Sequence, residues 1–460
     1  REGTHVKPEL GSGSDERKAF YKTAAALIIP MALQNLINTG ISSIDVLMLG
    51  RVSETVLSAA SLASQVQFVM TLFFFGLTSG ASVLTAQYWG KGDKESILKI
   101  MGICMRFSLI VGVGFTAAAA AFPAPIMRIF TNEEAVVAEG VKYLRVVSLS
   151  YLFMSVTIIY LNVMRSVERV VISTVVYLIS LVSNVILAAV MIFGLFGCPQ
   201  MGILGSAIAT LVSRGIELIV VIVYALKFND VLRFKPSMLL VRDKYLFRDF
   251  LHYSVPVTLN ELLWGLGVAM NSVVIGHLGS SAVSANSVAQ IARQLATVVA
   301  FGLSNATAVC VGKVIGENDL KAAERYAGRF IRLSVLAGVL GAALILAARP
   351  AAISALNLEP VTQGYLSLMM YVMSYFSIAQ AINTTLVVGV FRAGGDTRFG
   401  LFLDSTAMWC GSILCGALAA FVFHWSVPVV YVILMSDEII KLPFTALRYR
   451  SRKWLNNVTR

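Results

Sequence analysis

Apolar stretches long enough to cross a bilayer, separated by glycine, proline or charged residues, follow one another along the whole chain and predict twelve membrane-spanning helices. They cover residues 23–49, 57–87, 97–121, 140–163, 171–194, 202–226, 249–276, 283–312, 325–348, 364–390, 398–423 and 427–447. The first run holds an acid. Within 30–50, PMALQNLINTGISSIDVLMLG, Asp45 lies in an otherwise uncharged stretch, and a carboxylate at membrane depth marks a candidate functional site. The stretch recurs at 256–276, PVTLNELLWGLGVAMNSVVIG, at an offset of 226 (256 − 30), and the match runs without a gap to Asp93 and Asp319. Leu33 meets Leu259, Gly50 meets Gly276, Phe75-Gly76-Leu77 meets Phe301-Gly302-Leu303, and Gly90 meets Gly316.

The pattern therefore predicts an all-α polytopic membrane protein, with two homologous six-helix lobes around a central cavity. The expected boundaries are a disordered cytoplasmic tail at 1–19, an N-terminal lobe at 20–226, a linker at 227–248, a C-terminal lobe at 249–450 and a second tail at 451–460. Pro30 and Pro256, at matching positions, predict bends. The small-residue stretches FGLTSGASV at 75–83 and GALAA at 416–420 suit close helix contact, and Asp93 and Asp319 are placed to cap the helices that follow.

Composition agrees with the membrane reading. Of 460 residues, 57% are hydrophobic and 13% charged, with mean hydropathy +0.78, against roughly 25% charged in a soluble domain. A net charge of +12 raises nucleic acid as a partner, but the basic residues are not gathered on one domain, so no nucleic acid is expected. Thirty of the 37 Lys and Arg fall in the two tails and alternate loops, among them Arg165 and Arg169, Arg392 and Arg398, and Lys441. This puts both termini in the cytoplasm and makes the chain a multi-pass cell-membrane protein. Six spans per half make the lobes parallel repeats about an axis along the membrane normal. The five cysteines lie mostly in apolar runs without ligand spacing and read as small buried apolar residues.

The sequence offers no enzyme chemistry: it has no G-x-x-x-x-G-K-[ST] phosphate loop, and His5, His252, His277 and His424 form no cluster. The candidates are polar groups at membrane depth. In the first half these are Gln34, Asn35, Asn38, Asp45, Gln65, Asn184, Thr210, Arg214 and Glu217; in the second, Asn260, Glu261, Asn271, Asn286, Arg293, Asn305, Gln380, Asn383 and Asp404. Arg214 and Glu217, three apart, can neutralise each other. Asp45, Glu261 and Asp404 have no basic partner within a helical turn. Each can exchange protons near neutral pH, bind a small cation as carboxylate, or simply hydrogen-bond a neighbour. Asn260, Glu261 and Trp264 together could hold an organic cation through charge and ring face.

Several strings in order carry a resemblance: IDVLMLG at 44–50, LTAQYWGKGD at 84–93, Asn184 with IFG at 192–194, GILGSAIAT at 202–210, NSVVIGHLG at 271–279 and FRAGGDTRF at 391–399. With twelve spans in two matching lobes, the chain resembles the MATE (multidrug and toxic compound extrusion) family over about residues 20 to 455. The resemblance implies export of small organic, often cationic, compounds in exchange for H+ or Na+ by alternating access between the lobes. It puts Asp45 on the helix-one acid used for cation coupling, with Asn184 and Thr210 as its polar partners. Glu261 falls on the helix-seven acid of the branch resembling NorM, with Asp404 available as a second acid, and Na+ is a candidate at Asp45 or Glu261. Where the branch resembling DinF has a further acid, this chain has Ala188, and the loop MRSVERVV at 164–171 lacks the usual glycine and proline. Gln34, Asn38, Gln65, Asn260, Trp264, Asn271, Gln380 and Asn383 are expected to line the substrate cavity. The expectation is a monomer in the lipid bilayer, with no cofactor beyond the coupling ion and no other metal. A lipid-linked precursor flippase is the alternative, but only Arg214 and Arg293 are read as intramembrane bases, the others being counted to one side or the other, few for pyrophosphate. A receptor or channel subunit suits two matched lobes less well.

Overall fold

The computed structural model of the chain describes residues 13–356 and 358–460. Those residues form helices and connecting turns. In order they are α1 Gly13–Gly50, α2 Glu54–Lys91, α3 Lys94–Ala121, the short α4 Pro123–Phe130, α5 Glu134–Ser166, α6 Val170–Phe193, α7 Ile203–Val223, α8 Lys244–His277, α9 Ser280–Gly316, α10 Leu320–Ala355, α11 Pro360–Thr384 and α12 Thr397–Ser405. α11 continues as a π-helix over Thr385–Phe391. α12 runs on through π-helical Thr406–Ile413, α13 Leu414–Ala417 and π-helical Leu418–Val422. α14 Val427–Leu434 and α15 Asp437–Arg450 close the bundle. Eleven helices among the described residues are long and apolar enough to cross a membrane. The twelfth crossing is α14 with α15, broken at Met435–Ser436, which corrects the single run expected at 427–447.

Local chemistry sets the element ends. Ser53 caps α2 through Val56 N, Asp93 caps α3 through Ser96 N, and Asp319 caps α10 through Ala322 N. Gly92 closes α2 at φ +82. The two halves repeat in three dimensions as in sequence. Glu134 and Pro360 open α5 and α11 at the offset of 226 (360 − 134), but Val170 and Thr397 open the next helices at 227 (397 − 170). The π-helical end of α11 accommodates that extra residue.

The division into lobes is less clean than the sequence suggested. The inner part of α1, with Phe20, Ala24, Leu27 and Met31, packs in the core of the second half, its Phe20 ring 4.9 Å from Tyr326 and 5.1 Å from Phe330. Correspondingly, Leu246 and Phe250 of α8 pack in the core of the first half, with Phe250 5.6 Å from Phe107. Small residues bring the halves together: a Cβ at Gly76 would meet Thr258, one at Gly80 would meet Ser254, and one at Gly302 would meet Ala32.

Both expected tails need correction. Residues 1–12 lie outside the described part, but Gly13–Ala19 is about the first two turns of α1, and Glu16 pairs with Arg325 and Arg329 at 3.6 Å. Residues 451–460 lie folded against both halves: Trp454 is fully buried, and Asn456 and Val458 bond Gln87 of α2. Of the expected linker, Lys244–Arg248 already belongs to α8, and Pro236–Leu240 forms a 3-10 turn whose Met238 carbonyl lies against Gly102. Cys104 and Cys310 are buried, whereas Cys198, Cys410 and Cys415 are exposed on the protein surface, in contrast to the uniformly buried set expected.

Candidate functional site

Polar groups gather at three levels. Near the C-terminal end of α1, Asp45 is half-buried; its Oδ1 is shielded and has no hydrogen-bond partner. Arg214 of α7 and the Tyr143 hydroxyl of α5 lie within its electrostatic reach, and that hydroxyl lies beside Ser64 and Thr210. Asn184 Nδ2 donates to Thr210 Oγ1 at 3.4 Å, leaving Asn184 Oδ1 buried without a donor. Arg214 itself is held by fully buried Glu217 at 2.8 Å. Ala188 is completely buried in the apolar core of this half, so its neighbourhood supplies no second carboxylate.

The second half is built differently. Glu261 of α8 receives Arg392 Nη2 at 2.8 Å, and Asp404 of α12 receives Lys441 Nζ at 3.1 Å and Asn260 Nδ2 at 2.9 Å. Lys441 also bonds Glu438 at 2.9 Å, and Glu438 accepts from Asn383 Nδ2 at 2.8 Å, whose Oδ1 accepts from Thr445 at 3.1 Å. Arg392 and Lys441, counted as cytoplasmic from sequence, are in fact interior: their side chains are 4% and 7% exposed. The acids that lack a basic neighbour along their own helices thus find one on another helix.

Between the halves lies a narrow cleft lined by Phe75, Thr78 and Ser79 of α2, Asn162 and Arg165 of α5 and Asn305 of α9, among others. None of the eight residues expected to line a substrate cavity lines it. Gln34 is 1% exposed and bonds Val170 O and Thr174 Oγ1, though its Oε1 accepts from Arg165 Nη1 at 3.3 Å beside the cleft. Asn260 and Asn383 are locked in the network just described, and Gln380 accepts from Arg293 at 3.0 Å. Asn38, Gln65 and Trp264 are exposed, and Asn271 has a shielded Oδ1 without a donor. The residues that sequence reasoning passed over are Ser79, Asn162, Arg165, Arg392 and Lys441. The repeat held a signal for two of them, because Arg165 and Arg392 are equivalents at the offset of 227 (392 − 165).

The side of the molecule on which α2 and α9 end is tied across the halves. Glu168 Oε2 accepts from Trp89 Nε1 at 3.1 Å and from Lys313 Nζ at 2.9 Å, joining the halves. Gln87 Nε2 donates to Ala393 O at 2.7 Å and Asn456 O at 3.1 Å, while its Oε1 accepts from Val458 N at 2.7 Å. Deeper in, Arg392 Nη1 reaches Ser79 Oγ at 2.9 Å. These ties between the halves, with those of Lys99 to Asp243 and of Glu16 to Arg325 and Arg329, lie at the level of Ser79 or towards the side on which α2 and α9 end.

Comparison with known proteins adds to this picture. The sequence pattern of the MatE family matches residues 30–190 and 256–411, one block in each half. The chain is similar to the probable multidrug resistance protein YoeA of Bacillus subtilis (strain 168), 25% identical over 404 residues that cover 85% of each. It is also similar to the probable multidrug resistance protein NorM of Rhizobium meliloti (strain 1021), 26% identical over 419 residues, covering 90% of this chain and 89% of that one. Among solved structures, an outward-facing multidrug resistance MATE family transporter of the MOP superfamily shares the fold, with a TM-score of 0.84 at 18% identity over 94% of this chain and 96% of the other.

Proposed function

The chain belongs to the MATE family of membrane transporters, and on that premise we propose that it exports small organic compounds across the cell membrane in exchange for H+ or Na+, by alternating access between its halves. Asp45 carries this reading. It is a half-buried carboxylate whose Oδ1 has no hydrogen-bond partner, in the half of the molecule where no cation lies in salt-bridge contact with it. A carboxylate so placed can take up a proton or a small cation and release it when the surroundings change. Glu261 and Asp404 each hold an internal cation, so in this reading they organise the second half and Asp45 does the coupling.

The magnitudes suffice for export. One charge crossing 100 mV supplies roughly 2.3 kcal/mol, and a tenfold ion gradient about 1.4 kcal/mol more. The test is efflux of ethidium from proteoliposomes under an imposed proton gradient alone and then a sodium gradient alone. Wild-type protein responds to one of the two, and Asp45→Asn loses that response while still inserting as a monodisperse protein. Ion-driven export by Asp45→Asn at the wild-type rate would remove Asp45 from the coupling role. The flippase alternative predicts dye-independent behaviour: vesicle pH or sodium content would not change on adding a transported dye.

A further inference from the structure

We propose that Arg165, at the floor of the cleft between the halves, is a binding site for an anionic group, carboxylate or sulfonate, on the transported compound. The inference rests on the export reading and names a substrate class for it.

The argument starts from the repeat. Arg165 and Arg392 are equivalents at the ends of α5 and of the π-helical extension of α11. Arg392 has an acid and a hydroxyl as partners: Glu261 of its own half at 2.8 Å and Ser79 of the other half at 2.9 Å. At the offset of 226, the equivalent of Glu261 is Asn35 (261 − 226) and the equivalent of Ser79 is Asn305 (79 + 226). The first half therefore repeats the guanidinium but replaces its acid by an amide. Arg165 Nη1 donates only to Gln34 Oε1, at a long 3.3 Å, its Nε is buried with no acceptor, and Asn35 Nδ2 is buried with none either. Both unmet groups are donors.

Other interior cations of the bundle are neutralised: Arg214 by Glu217, Lys313 by Glu168, Arg392 by Glu261 and Lys441 by Asp404 and Glu438. Arg293 has no acid, but its donors are met by Gln290 at 2.8 Å and Gln380 at 3.0 Å, and it lies away from the cleft. Arg165 is the one that faces the cleft. The remaining lining is hydroxyls, amides and apolar groups such as Met31 and Phe75, with no carboxylate. A planar guanidinium with free N–H groups and no internal counter-charge selects an oxyanion, which it can grip with two parallel hydrogen bonds. An aromatic body would lie against Phe75 and Met31, with its anionic group towards Arg165.

The test uses the full chain in lipid nanodiscs and two fluorescent probes that differ in one charge, 7-diethylaminocoumarin-3-carboxylic acid and its ethyl ester. Wild-type protein binds the acid roughly tenfold more tightly than the ester, the ratio expected of one charge-assisted pair. Arg165→Lys keeps part of the preference and Arg165→Gln abolishes it, each variant being checked for monodispersity. Equal affinity of wild-type protein for acid and ester overturns the proposal without any variant, as does an unchanged preference in Arg165→Gln. Ethidium export by wild-type proteoliposomes is measured separately. Its absence would defeat the export reading, whereas its presence with no acid preference would defeat only the anion site.

Discussion

At the scale of single residues, the structure sorts the buried charges into those with an internal partner and those without. Lys441, 7% exposed, holds two acids at 3.1 and 2.9 Å. Lys441→Met leaves buried Glu438 and half-buried Asp404 with no cation, and removing one partner of a buried pair costs about 3–5 kcal/mol. A marked fall in melting temperature in detergent is expected, with Asp404→Asn in the same chain restoring part of it; an unchanged melt would show that the network is not holding α12 to α15. Glu168 is a second case. It occupies φ +63 where its equivalent in the second half, Gly395, has φ +78, so a non-glycine residue is held in the left-handed region at a cost of about 1 kcal/mol. The missing glycine was visible in MRSVERVV. Its reason was not, because only the fold brings Trp89 and Lys313 to the Glu168 carboxylate. The same limit applies to Glu261 and Asp404. Their lack of partners was a correct statement about their own helices, and counter-charges 131 and 37 residues away in sequence leave no periodic trace.

At the scale of elements, apolar runs, glycine-rich stretches and caps were legible because each depends on neighbours in sequence. Gly76 and Gly80 mark the line along which α2 meets α8, and a Cβ at Gly80 would overlap Ser254. Gly80→Val is expected to force the two helices apart, at roughly 1–3 kcal/mol typical of overpacking, and to accelerate deuterium uptake in the inner turns of α8; uptake equal to wild type would place the close approach elsewhere. What hydropathy could not mark is the break in the last crossing. Met435–Ser436 interrupts an apolar run so that Asp437, Glu438 and Lys441 enter the interior at the start of α15. Hydropathy ran 427–447 together as one span, and the count of Lys and Arg by side put Lys441 in the cytoplasm although it lies within that run.

For the whole molecule, duplication fixes the architecture and the departures from it locate the asymmetry. The inner parts of α1 and α8 exchange between the two cores, and 451–460 crosses the seam they make. Opening the side on which α2 and α9 end must separate Gln87 from Ala393, Asn456 and Val458. At about 1 kcal/mol per hydrogen bond, Gln87→Ala raises the open population by roughly tenfold or more. Cys310, buried and close to the Glu168–Lys313 pair, reports this directly. In a chain whose other four cysteines are replaced by serine, Gln87→Ala is expected to speed labelling of Cys310 by a membrane-impermeant maleimide. An unaltered labelling rate would mean the seal does not depend on that amide.

The internal cations of the second half also bear on stoichiometry. If Arg392 and Lys441 permanently neutralise Glu261 and Asp404, one exchangeable site at Asp45 remains per cycle, and the proposed exchange runs one ion for one substrate. The ceiling on accumulation then depends on the charge of the cargo. For a monovalent cation leaving as a proton enters, no net charge moves, and the limit is about tenfold per pH unit. An anion leaving adds its own passage down an inside-negative potential to that of the proton, about 4.6 kcal/mol at 100 mV for the two charges. With one coupling site, the same protein would be a weak pump for cations and a strong one for anions.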